Sequence, residues 1–298
     1  MQKQVSIVGV PMDLGQAKRG VDMGPAAIRY ADVVERLTKL GYDVEDLGDL
    51  EIERIQKEDD CEKLKNLHAV AETNRRLAEL VSDIVSQKRF PLILGGDHSI
   101  AIGTIAGISK YYERLGVIWF DAHGDLNTKE TSPSGNIHGM PLAVNLGYGE
   151  DVLINLGNYS PKIKPEHVTI IGARSLDEGE KELIHKLGIN VYTMHEVDRL
   201  GMASIMEQVI DYFQKHADGI HISFDLDCLD PLDAPGVGTP VLGGLTYRES
   251  HLAMEMLAEA DLVTSAEFVE VNPILDERNK TARTAVALIG SLFGEKLL

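Results

Sequence analysis

Apolar positions along the chain form short runs separated by longer stretches with helical spacing. Val5 to Val10 reads as a first strand, and Pro25 opens a helix to about Leu40. A second strand covers Asp43 to Leu47. Leu64, Leu67, Ala71, Leu77, Val81 and Ile84 then keep helical spacing through a polar segment. Phe90 to Leu94 predicts a strand ended by Gly95-Gly96, followed by a helix from Ile100 to about Leu115 and a strand from Gly116 to Phe120. Further strands are predicted at Val168 to Ile171, Asn190 to Thr193, Gly219 to Phe224 and Leu262 to Glu270. Between and after them come helices at Glu178 to Leu187, Met202 to Phe213, Tyr247 to Ala260 and Thr281 to Phe293. The last carries the stripe Ala282, Ala285, Val286, Ile289 and Phe293, which fits either core or a subunit contact.

Alternation of buried-type strands with amphipathic helices predicts an α/β protein, with a mostly parallel sheet and helices on both faces. No linker, repeat or low-complexity stretch divides the chain, so residues 1–298 are expected to form one domain. Two loop-rich regions, Asn127 to Pro141 and Asp230 to Leu245, follow strand ends crowded with carboxylates. Ligands of open α/β sheets bind beyond such strand ends.

Three strand ends carry the candidate chemistry. Asp121-Ala122-His123-Gly124-Asp125 follows Val117 to Phe120, and on an extended chain Asp121, His123 and Asp125 share one face. Asp225-Leu226-Asp227 ends the strand from Gly219, where period two sets His221, Ser223, Asp225 and Asp227 on one face. His221 could therefore support the acids beside it. Gly95-Gly96-Asp97-His98-Ser99 offers His98, with Asp97 as a possible supporting partner. Ionisable groups crowded at buried strand ends repel one another unless a cation sits among them. His98, Asp121, His123, Asp125, Asp225 and Asp227 are too many ligands for one tetrahedral zinc but fit two ions with bridging carboxylates. An oxygen-rich, thiolate-free set favours Mn²⁺. Two such ions roughly 3.5–4 Å apart would make hydroxide available near neutral pH.

Composition narrows the picture. Among 298 residues, 44% are hydrophobic, enough for a substantial core. The 29 basic and 47 acidic residues leave a net charge of −18, which disfavours nucleic acid or anionic membranes as partners. The two cysteines, Cys61 and Cys228, make no disulfide framework, and Cys228 reads as a packing residue. No long apolar run predicts a membrane span, and the N-terminus lacks a signal sequence, so a cytoplasmic location is expected. The first strand is followed by neither Gly-x-Gly-x-x-Gly nor a phosphate-loop lysine, which excludes the common nucleotide-binding readings.

Gly-Gly-Asp-His, Asp-Ala-His-x-Asp and Ser-x-Asp-x-Asp, in this order, resemble the motifs of the ureohydrolases, the family of arginase, agmatinase and their relatives. The resemblance runs from Gly20-Val21-Asp22-Met23-Gly24-Pro25 through Glu270-Val271-Asn272-Pro273, and within the family it is closest to the arginases. It implies a three-layer α/β sandwich, two Mn²⁺ ions per subunit and a homo-oligomer, a trimer or hexamer. One ion would be held by His98, Asp121, Asp125 and Asp225, the other by His123, Asp121, Asp225 and Asp227. The resemblance also implies hydrolysis of L-arginine to L-ornithine and urea, by attack of a metal-bridging hydroxide on the guanidinium carbon. Glu270 would hold the guanidinium and Thr239 would line its pocket. Asp125 would pass a proton to the departing amine, and His138 would exchange protons with solvent. Asn127, Ser132, Ser134 and Asn136 match the loop facing the α-carboxylate, while Asp177 and Glu180 match the acids near the α-amino group. Ser175 departs from the family pattern, which often has an acid there. Another guanidino hydrolase, such as agmatinase or guanidinobutyrase, is the nearest alternative; a catalytically silent metal-binding protein is the alternative of another kind.

Overall fold

The computed structural model describes residues 3–52 and 63–298, so Cys61 lies outside the described residues. Eight strands form one sheet: β1 (Gln4–Val10), β2 (Asp43–Asp49), β3 (Phe90–Gly95), β4 (Leu115–Phe120), β5 (Val168–Ala173), β6 (Asn190–Thr193), β7 (Gly219–Asp225) and β8 (Val263–Val269). Their order is β2-β1-β3-β8-β7-β4-β5-β6, and every pairing is parallel. The expectation of a mostly parallel sheet thus becomes an entirely parallel one.

Side-chain alternation distributes the core onto two faces. In β4, Ile118 and Phe120 enter one apolar cluster while Val117 and Trp119 enter the other. The first cluster takes apolar stripes from α1 (Gly24–Tyr30), α2 (Val33–Lys39), α9 (Met202–His216), α10 (Tyr247–Ala260) and α11 (Lys280–Leu292). The second takes those of α3 (Leu67–Ser86), α4 (Ala101–Ile108) and α5 (Pro141–Asn145). The stripe Ala282, Ala285, Val286, Ile289 and Phe293 is buried in the first cluster, which settles it as core. Cys228 is buried there too, as a packing residue.

Several boundaries differ from the sequence reading. The helix expected from Pro25 to Leu40 is two helices, broken where Asp32 adopts a left-handed backbone (φ 66°). The helix expected to reach Leu115 ends as α4 at Ile108, and Leu115 already begins β4. Three short helices were not legible: α5, α6 (Asp151–Ile154) and α8 (Met194–Leu200), each too brief to display a period. α7 (Glu178–Leu187) matches its predicted span, and a capping box between Asp177 and Glu180 opens it.

Candidate metal and hydrolytic site

β3, β8, β7 and β4 are neighbours at the centre of the sheet, and each delivers one cluster of polar residues at its carboxyl end. Gly96-Asp97-His98 follows β3, Glu270 follows β8, Asp225 ends β7, and Asp121 follows β4. Gly96 is required because a Cβ there would collide with the backbone of Met12 and Val10, where the end of β1 crosses. Asp97 fixes the next turn by accepting from Gly15 N (2.9 Å), Ser99 N (3.1 Å) and Ser99 Oγ. It shapes the loop that carries His98.

His98 Nδ1 lies 3.2 Å from Asp121 Oδ2, 3.0 Å from Asp125 Oδ2 and 3.2 Å from Asp225 Oδ2. His123 Nδ1 lies 3.4 Å from Asp121 Oδ1 and 3.1 Å from Asp227 Oδ2. All six residues proposed as ligands are therefore together. Two groups, His98–Asp121–Asp225 and Asp121–His123–Asp227, have donor atoms close enough to hold one ion each, with Asp121 common to both. The convergence of Asp121, His123 and Asp125 corrects the sequence argument in one respect. It comes from a turn, with His123 N donating to Asp121 Oδ1 (2.7 Å) and Asp125 left-handed (φ 51°), and not from strand alternation.

The electrostatics of this cluster call for a cation. His98 Nδ1 and Asp125 Oδ2 are buried without hydrogen-bond partners, although they are neighbours. Burial disfavours charge on His98, but the surrounding acids hold its pKa well above the ordinary value. For His123 burial is likewise outweighed by Asp227 and Asp121, and its pKa is pushed up to about 12. Burial and the Asp121 charge push Asp125 up to about 6, and burial with its acidic neighbours raises Asp225 well above the carboxylate range. The donor set of carboxylate oxygens and imidazole nitrogens suits divalent ions.

Glu270 is left-handed (φ 63°), just past the end of β8. Backbone strain of this kind in a bulky residue collects at functional sites. Its Oε1 accepts from His98 N (2.9 Å) and lies 3.3 Å from His138 Nδ1, while Oε2 accepts from Gln16 Nε2 (3.1 Å). Burial opposes charge on His138, but Glu270 more than offsets it and raises its pKa. The pocket above is lined by His98, His123, Asp125, His138, Asp225 and Asp227, and by Asn127, Ser132, Ser134, Asn136, Ser175, Asp177, Glu180 and Thr239. Asp121 and Glu270 lie beneath this lining, fully buried.

The outer residues are braced by local bonds. Thr239 Oγ1 donates to Asp227 Oδ2 (2.9 Å), and Asn127 Nδ2 donates to Asp177 Oδ2 (2.8 Å). Glu180 accepts from Leu126 N (3.1 Å) and Asp177 N (2.8 Å). Ser132 Oγ accepts from Gly135 N (2.8 Å), and Ser134 Oγ from Asn136 N (3.2 Å). Sequence reasoning missed Gln16 and Trp119, whose Nε1 donates to Asp121 Oδ2 (3.0 Å) while its ring stacks on His98 at 4.2 Å. Gln16 sits in an irregular loop with no periodic signal. The sequence marks Trp119 only as a residue of the strand from Gly116 to Phe120.

The family model for the arginase family matches residues 3–294. The chain belongs to the arginase family. It is 70% identical to an arginase of Bacillus caldovelox, over 99% of this chain and 100% of that protein. It is 65% identical to an arginase of Bacillus subtilis strain 168, with both chains fully covered. The native structure of the B. caldovelox arginase at pH 5.6 superposes with a TM-score of 0.96, covering 99% of each chain. Family membership and the twin clusters sharing Asp121 together point to a binuclear metal site.

Proposed function

We propose that this chain is an arginase, which hydrolyses L-arginine to L-ornithine and urea. The observation that carries the reading is the buried cluster itself: two imidazoles and four aspartates at the floor of a pocket, with the Glu270 carboxylate anchored beside them. His98, Asp121, Asp125 and Asp225 would hold one divalent ion and His123, Asp121, Asp225 and Asp227 the other, with Mn²⁺ favoured by the oxygen-rich set. When bound, such a pair supplies hydroxide near neutral pH.

The protein's own groups do the remainder. Arginine's guanidinium is permanently charged and planar, so a fixed carboxylate binds it by charge-assisted hydrogen bonds. Glu270 is that carboxylate, held in place by Gln16 and His98 N. Thr239 lines the pocket and donates to Asp227 Oδ2. The Asp125 carboxyl, buried beside His98, takes the proton that the attacking oxygen gives up and passes it to the nitrogen that leaves as the amine of ornithine when its C–N bond breaks. His138, 16% exposed and paired with Glu270, exchanges protons between site and solvent. Asn127, Ser132, Ser134 and Asn136 would address the substrate carboxylate, and Asp177 and Glu180 its amino group.

A homo-oligomer of three or six copies belongs to the same proposal and rests on the family resemblance. A cytoplasmic location accords with the free Cys228. Among the described residues no helix is long and apolar enough to cross a membrane. Substrate choice is tested by supplying arginine and agmatine at equal concentration to Mn²⁺-loaded protein and identifying the amine products. Ornithine should dominate; putrescine without ornithine would transfer the reading to agmatinase.

A further inference from the structure

Beneath the metal cluster, one face of β7 and β8 carries a buried polar strip that the reaction outlined above does not use. Parallel register sets His221 opposite Ser265 and Ser223 opposite Glu267. His221, Ser223, Ser265 and Glu267 are all fully buried. Ser223 Oγ donates to Glu267 Oε1 (2.7 Å) and also contacts His98 Nε2 at 2.8 Å. Glu267 Oε1 further lies 3.4 Å from His221 Nε2, and His221 Nδ1 lies 3.0 Å from Ser265 Oγ.

These contacts have a directional consequence. A carboxylate only accepts hydrogen bonds, so the single hydroxyl hydrogen of Ser223 is committed to Glu267. Ser223 Oγ can then only accept from His98. A neutral imidazole has one N–H, which is thereby placed on Nε2. Nδ1 is left with its lone pair directed at the carboxylates of Asp121, Asp125 and Asp225. We propose that Glu267 is a positioning residue that acts through Ser223 to set the tautomer of His98, so that Nδ1 is presented to a metal ion. His221 and Ser265 hold Glu267 in register for this task. The proposal rests on the binuclear metal reading. It goes beyond it by assigning a function to four buried residues, none of them a ligand.

The test uses full-length protein and Mn²⁺ titrated against a competing chelator, comparing wild type with Ser223→Ala, Glu267→Gln, the double variant and Ser223→Thr. Loss of a partner that orients a ligating histidine typically weakens metal affinity by roughly 10–100-fold. Each single alanine or glutamine substitution should weaken one of the two ions by that factor. Because both act on one tautomer, the double variant should be no weaker than Ser223→Ala alone. Ser223→Thr, which retains the hydroxyl, should bind nearly as wild type. In Zn²⁺-loaded protein labelled with ¹⁵N-histidine, His98 Nε2 should carry the proton in wild type and exchange it faster in Ser223→Ala. Additive losses in the double variant, or wild-type Mn²⁺ affinity in Glu267→Gln, would overturn the proposal while leaving the metal reading intact. Failure of wild type itself to bind Mn²⁺ would overturn both.

Discussion

At the scale of single residues, the site is a set of charges that are tolerable only in combination. His138 and Glu270 illustrate the rule. Burial opposes charge on each, yet their contact at 3.3 Å raises the histidine and lowers the carboxyl. The imidazolium therefore persists above its ordinary value of 6.5. The stability this pairing contributes is complete below that value and is lost as pH rises through the raised one. Glu270→Gln removes the raising charge, so the His138 titration followed by NMR should move to lower pH. The same substitution should cost two or more orders of magnitude in kcat/KM for arginine, since a buried anchor for a cation is lost. An unmoved titration would show that Glu270 does not govern His138. Sequence made these acids and histidines visible because ionisable residues at strand ends stand out against apolar runs. It could not reveal Gln16 or Glu267, whose significance lies in one hydrogen bond each to partners 254 and 44 positions away.

At the scale of elements, the apolar pattern predicted each strand of the described residues: β3, β4, β5 and β7 are buried throughout and leave clear runs, while the edge strands β2 and β6 are far more exposed. The order of the strands was not legible. β3 and β4 are consecutive in sequence, yet β8 and β7 lie between them, and this insertion brings four strand ends from distant parts of the chain into one site. The break at Asp32 was hidden as well, since an aspartate in the left-handed region leaves no mark on helical periodicity. Gly96 is a tight joint in the arrangement, packed against the Val10–Met12 backbone. Gly96→Ala should destabilise the protein by about 1–3 kcal/mol through overpacking, measured by denaturant unfolding, and should displace His98 enough to weaken metal binding. Unchanged stability would mean that the two strand ends are free to separate.

At the scale of the whole molecule, the net charge of −18 serves two purposes. Asp121, Asp125, Asp225 and Asp227 would build the proposed cation site, Asp177 and Glu180 line the pocket, and Glu270 lies buried beneath it. Apart from buried acids such as Asp97 and Glu267, the remaining acids give the molecule a negative field that attracts a cationic substrate. Raising ionic strength from about 0.01 to 0.15 M shortens the screening length from about 30 to 8 Å, so kcat/KM for arginine should fall over that range while kcat changes little. A flat dependence would remove steering from the account.

The central claim is that the aspartate–histidine cluster holds two divalent ions on which hydrolysis of arginine depends. It is tested most directly by titrating metal-free protein with Mn²⁺ and measuring bound metal and urea release in the same samples. Two ions per chain should bind, urea should appear only as they do, and His123→Asn should bind less metal and lose most of the activity. Full urea release from metal-free protein, or from His123→Asn with both ions retained, would contradict the account.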